Sequence, residues 1–95
     1  MRLYAKVVYH SQQILHESAV LGGFTFRDDG INHPTIAVYS DVTLKNNIVP
    51  KRTTEFMPGF AIDCPKGIYI YLNCPGPIEL IVYCRNLKEF KENHF

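Results

Sequence analysis

The run from Gly67 to Arg85, GIYIYLNCPGPIELIVYCR, restricts the fold more than any other part of the chain. Ile68 to Leu72 are all β-branched, aromatic or aliphatic, the types that suit a pleated and half-buried surface. Asn73-Cys74-Pro75-Gly76-Pro77 stops that run, because proline has no N–H to give a ladder and glycine reaches turn dihedrals. Ile78 to Cys84 then resumes the strand pattern. The expectation is a hairpin, two strands around a Pro-Gly-Pro turn. Side chains alternate between faces along a strand. Ile68, Ile70 and Leu72, with Ile78, Leu80, Val82 and Cys84, would therefore form one side of a core. Tyr69, Tyr71, Ile81 and Tyr83 would fall on the other side, with Glu79 and Arg85. That second face is too apolar to be simply wet, so a second layer or a partner must cover it.

With 95 residues the chain makes one domain with a modest core. The expected domain spans residues 1–86, with 87–95 as a tail or short helix. A 46% apolar and 20% charged composition is that of a globular protein rather than a disordered one. The net charge of +1 leaves no basic excess to neutralise phosphates, which disfavours nucleic acid as a partner. No apolar run approaches the ~20 residues of a membrane helix, so no membrane partner is expected. Met1 to His10 alternates instead of forming the apolar block of a signal peptide. The expectation is cytoplasmic expression, with incorporation into a virion as a further destination. Cys64, Cys74 and Cys84 cannot all pair within one chain and read as free thiols. Their even spacing follows a Cys-Pro turn that feeds a strand twice, at Cys64-Pro65 and Cys74-Pro75.

Arg2 to Tyr9 reads as a strand, with Leu3, Ala5, Val7 and Tyr9 alternating with Arg2, Tyr4, Lys6 and Val8. Residues 11–21 admit two readings. Ser11 can cap a short helix that turns Ile14, Leu15, Ala19 and Val20 inward and ends at Gly22. Alternatively, Ile14 to Val20 is a strand returning from a hairpin, which agrees better with its β-rich surroundings. Phe24 to Arg27 forms a short strand, and Asp28-Asp29-Gly30 and Asn32-His33-Pro34 a loop. Thr35 to Ser40 is a strand that Asp41 to Leu44 can extend, and Asn46-Asn47 is a tight turn. Ile48 to Pro50 is extended, and Arg52 to Phe56 is a polar edge strand guarded by Pro50, Lys51 and Arg52. Met57-Pro58-Gly59 breaks it, and Phe60-Ala61-Ile62 bridges to the Gly67 run. After Arg85, Asn86 can cap one last helical turn carrying Leu87 and Phe90. Seven to eight short strands with turns between them indicate an all-β antiparallel sandwich or jelly-roll-like barrel.

Chemistry-bearing residues are few. His10, His16, His33 and His94 lack metal spacing with one another or with a cysteine, and only the fold could gather His10, His16 and a thiol into a site. Cys74 at a turn tip and His33 in a Gly-Asx-Pro loop are the best candidates for nucleophile and base, but no signature links them. Buried or turn cysteines explain the thiols more simply. Asp28, Asp29, Asn32 and Asp41 lack the spacing of a calcium loop, and turn formation accounts for them. Gly22-Gly23 is not followed by the lysine and hydroxyl of a phosphate loop. No catalytic residue, metal site or cofactor is therefore assigned. The tyrosines are the richer signal, because tyrosine buries area while keeping a polar tip. The assigned interface is Tyr69, Tyr71, Ile81 and Tyr83, with Leu87 and Phe90 of the tail.

The two strand runs, Gly67-Ile68-Tyr69-Ile70-Tyr71-Leu72 and Ile78-Glu79-Leu80-Ile81-Val82-Tyr83, resemble the closing strands of small β-sandwich accessory proteins of phage particles. The likeness covers about a fifth of the chain and rests on pattern. It implies a capsid or tail accessory role, with many copies and contacts to a coat protein. The expected function is thus a non-enzymatic structural protein that forms a homo-oligomer or decorates a larger assembly. The alternative is a small inhibitor or ligand-binding protein acting through a loop set of Arg27, Asp28, Asp29 and His33. An enzyme using Cys74 or His33 is the third reading.

Overall fold

A computed structural model describes residues 2–27, 30–31 and 33–87. Eight strands follow one another: β1 (Tyr4–Val8), β2 (Gln12–Leu15), β3 (Ala19–Phe26), β4 (Thr35–Tyr39), β5 (Asn47–Arg52), β6 (Ile62–Cys64), β7 (Ile68–Asn73) and β8 (Leu80–Asn86). They form two four-stranded sheets, sheet A in the order β1-β8-β3-β6 and sheet B in the order β2-β7-β4-β5. All pairings are antiparallel. The pairing is nested: β1 with β8, β2 with β7, β3 with β6, and β4 with β5. The chain is a long ribbon doubled back at the β4–β5 turn and rolled into a sandwich, which is jelly-roll wiring.

The strongest local expectation needs correcting. β7 and β8 are strands, but they are not a hairpin, because β7 lies in sheet B and β8 in sheet A. The segment 74–79 arches from one sheet to the other. Pro75 and Pro77 cannot donate to a ladder, so they favour an open arch over a tight two-strand turn. The arch lets both apolar rows turn inward from opposite sides. Ile68, Ile70 and Leu72 meet Leu80, Val82 and Cys84 in one core, which Leu21, Phe24, Ile36 and Val38 complete. Ile78 precedes β8 and is only half-buried.

The stretch 11–21 holds strand rather than helix, as the surroundings suggest, but in two elements of different sheets, β2 and the start of β3. β2 does not return along β1. The exposed His16-Glu17-Ser18 carries the chain across to sheet A. Gly22 and Gly23 do not end an element; β3 runs through both. Opposite β8, Leu21 faces Cys84 and Gly23 faces Tyr83, so Gly22 is the extra residue of a β-bulge. Gly23 has φ of +137°, and a Cβ there would land on the Phe56 carbonyl oxygen. That closeness allows a bridge: Phe24 N–H donates to Phe56 O at 2.8 Å, and Phe56 N–H to Phe24 O at 3.1 Å. The two rings lie 5.9 Å apart.

Asp41 to Leu44 does not extend β4. Ser40 N–H donates to Asn46 O at 3.1 Å, which closes a turn with Leu44 at φ of +60°. Asn47 opens β5 instead of completing that turn. The polar edge strand is therefore Asn47–Arg52, with Pro50 inside it, and the chain then leaves sheet B so that Phe56 can bridge to sheet A. The expected helical turn beyond Asn86 lies outside the described residues apart from Leu87, whose N–H donates to Ser18 O at 3.0 Å.

Gly23→Ala meets both a backbone oxygen and a strained φ, and should cost roughly 2 kcal/mol or more of unfolding free energy. Gly22→Ala meets only a movable Leu3 methyl and the edge of Tyr83, and should cost less. Urea denaturation of both variants checks the order; equal losses would contradict the Phe56 bridge as the cause.

Candidate interaction face

The sandwich splits the single tyrosine-rich face expected from a hairpin. Tyr69 and Tyr71 lie on the outer face of sheet B, and Ile81 and Tyr83 on the outer face of sheet A. On sheet B, Tyr69 is opposite Tyr39, and Tyr71 is opposite Ala37, which is fully buried although it faces outward. The Lys51 ammonium sits 5.0 Å from the centre of the Tyr71 ring. The tyrosines, all half-buried, thus roof their own sheet.

Sheet A is different. In β1, Val8 is opposite Leu80 and turns into the core, while Val7 is opposite Ile81 and Ala5 opposite Tyr83. The more apolar row of β1, Leu3, Ala5 and Val7, therefore faces outward. Leu3 reaches over Gly22, where the missing side chain leaves it room beside Tyr83. The β5–β6 connection adds Met57 and Phe60, 55% and 65% exposed, to the same face. Leu3, Gly22, Met57, Gly59, Phe60 and Ala61 enclose a hollow of about 340 Å³. Further along the face, Thr25, Phe26, Arg27, Glu55, Glu79 and Ile81 line a second hollow of about 510 Å³. The outer face of sheet A is thus apolar at one end and charged at the other. Neither Met57 nor Phe60 stands out in the sequence, where they read as a break and a bridge. Their spacing around Gly59 is a loop signal, and only the Phe24–Phe56 bridge shows which sheet the loop covers.

The remaining candidates scatter. The end of β3, the start of β4 and the connection 74–79 lie at one end of the sandwich, since Phe26 is opposite Leu80 and Thr35 opposite Asn73. Arg27, His33 and Cys74 share that end, and Arg27 and His33 are exposed there. Asp28, Asp29 and Phe90 lie outside the described residues. Asp41 follows the end of β4 that lies away from Arg27 and His33. Its carboxylate accepts hydrogen bonds from the Thr43 hydroxyl and from Thr43 N–H, which hold its pKa below the ordinary value. That is a turn, not a cation site. His10 and His16 flank β2 at opposite ends, which precludes their composite site. Among the described residues, no three His, Cys, Asp or Glu side chains are placed to hold a metal ion. No described helix is long and apolar enough to cross a membrane.

Cys64 and Cys84 are buried on either side of β3, opposite Ala19 and Leu21. Burial pushes both thiols up to about 11, and Asp63 adds to the effect on Cys64. Cys74 is half-buried. No family model, curated protein or solved structure matches the chain.

Two outcomes follow for the thiols. In the native protein at pH 8, a thiol reagent should modify Cys74 first and reach Cys64 and Cys84 only on unfolding. The buried pair keeps its protons to about pH 11, whereas the unfolded thiols lose theirs from about 9. Their contribution to stability is therefore complete below pH 9 and lost between 9 and 11. Denaturation midpoints should fall across that window, and less so in a Cys64→Ala/Cys84→Ala variant; equal falls would remove the thiols as the cause.

Proposed function

We propose that this chain is a non-enzymatic structural protein that oligomerises or seats on a larger protein assembly, using the outer face of sheet A. One observation carries the reading: Ala5, Val7, Met57 and Phe60 stay exposed around a half-buried Leu3 on one outward apolar face, whereas Tyr39, Tyr69 and Tyr71 roof sheet B. Soluble monomers rarely leave contiguous apolar area open, and such patches mark contact sites. A net charge of +1 offers little repulsion between copies. Jelly rolls serve in capsid and lectin domains, so the wiring accords with an accessory part of a phage particle. That likeness is one of architecture, and the sheet A face is the firmer ground.

A second reading, binding of a small ligand or partner through the loops, draws on the hollow where Arg27 lies with Glu55 and Glu79. It predicts that Arg27→Ala weakens binding while Phe60 substitutions do not.

Light scattering over a range of concentrations tests the main reading. The wild-type chain should exceed its 10.9 kDa monomer mass, alone or with whatever assembly it co-purifies with from its source. Met57→Lys/Phe60→Asp should shift it toward smaller species with its unfolding midpoint unchanged. A wild-type chain that stays monomeric and co-purifies with nothing overturns the proposal.

A further inference from the structure

The geometry points to the free edge of β1 as the surface on which a second copy of this chain pairs, giving a two-fold dimer with one continuous eight-stranded sheet. This inference rests on the reading of the chain as an associating protein and names the partner and the contact.

A sandwich of this wiring has four edge strands, and three of them are closed. β5 contains Pro50, which has no N–H, and its register against β4 slips twice. β2 has only four residues, and its pairing with β7 slips between Gln13 and Leu15. β6 has three residues, and Phe56 takes up the next stretch of the β3 edge. Pro, bulges, shortness and inward-pointing charges are the usual guards of an edge, and Lys6, opposite the core residue Val82, is the guard that β1 carries. β1 has five residues, no proline and no register slip against β8. Tyr4, Ala5, Lys6 and Val7 are all exposed, although the strand is paired on one side. Where the two sheets' edge strands face each other, Tyr4, Lys6, Ile14 and Leu15 border an open seam of about 160 Å³.

The side chains choose the register. In an antiparallel pair, residues directly opposite share a face, so a two-fold partner must match residues of the same face. Centring on Lys6 would set Lys6 against Lys6, which is repulsive. Centring on Ala5 sets Ala5 against Ala5 at the axis, Leu3 against Val7 on the outer face, and Tyr4 against Lys6 on the inner face. No like charges meet, and the small residue sits where the two chains are in register with themselves. Pairing over residues 3–7 would add roughly four to six backbone hydrogen bonds. It also places both outer faces on the same side, so the dimer presents the Leu3, Val7, Met57 and Phe60 surface twice over.

The register can be read with cysteines. In a Cys74→Ser background, Ala5→Cys, Leu3→Cys and Val7→Cys are each treated with a short bismaleimide, with Lys45→Cys in the exposed β4–β5 turn as control. Ala5→Cys should cross-link to itself about tenfold or more faster than the control, since pairing sets the local thiol concentration. Leu3→Cys or Val7→Cys alone should not, because each lies ~14 Å from its own copy. Mixing those two variants should restore the fast reaction. If the wild type associates by light scattering but Ala5→Cys reacts at the control rate, edge pairing is overturned and the interaction reading stands. If the wild type is monomeric throughout and Ala5→Cys reacts at the control rate, both fall.

Discussion

The pairing of β8 between β1 and β3 holds sheet A together. β8 is opposite β1 from Leu80 to Cys84 and opposite β3 from Leu80 to Asn86, so the middle of the sheet is a strand from the far end of the folded ribbon. Its inward residues, Leu80, Val82 and Cys84, carry the sheet A side of the core, and its outward residues, Ile81 and Tyr83, set the character of the exposed face. The bulge at Gly22 follows from this arrangement. β3 must keep step with β8 while Phe56 joins its other edge, and Gly23 is the only residue type that admits the Phe56 oxygen so closely.

The two outer faces show how similar compositions lead to different surfaces. Sheet B has Tyr39, Tyr69 and Tyr71, whose rings spread over neighbours such as Ala37 while their hydroxyls can stay wet. On sheet A a single tyrosine, Tyr83, lies between the short Ala5 of β1 and Gly23 of β3, and Val7 beyond it stays exposed. Met57 and Phe60 overhang this surface and deepen it into a hollow. The contrast leaves exposed apolar side chains, Val7, Met57 and Phe60, on sheet A rather than on the more aromatic sheet B.

Strand identity was legible in the sequence wherever β-branched and aromatic residues clustered: β1, β4, β7 and β8 all lie where the pattern puts them. The inward rows Ile68-Ile70-Leu72 and Leu80-Val82-Cys84 were legible for the same reason. Partnership was not. A Pro-Gly-Pro segment between two strands suits a hairpin or an arch, and the choice depends on strands distant in sequence. The alternation in β1 was visible, but which row turns in is set by the register with β8, where Val8 meets Leu80, and no local signal encodes that pairing. Hence Leu3 and Val7, among the most core-like residues by type, lie outside, and the candidate face depends on that reversal. Met57 and Phe60 were missed because loop residues show no periodicity from which to infer a face.

Nested pairing also orders events during synthesis. β1 emerges first, yet its partner β8 is among the last strands to appear, and β2 and β3 likewise wait for β7 and for β6 with β8. Only β4 and β5 can pair as soon as they are made, across the 40–46 turn. A growing chain therefore carries the apolar rows of β1 and β3 unprotected for most of translation, and the sandwich closes from its fold-back outward. Such a chain is most exposed to misassembly just before it is complete, when several copies on one message hold the same unfinished edge side by side.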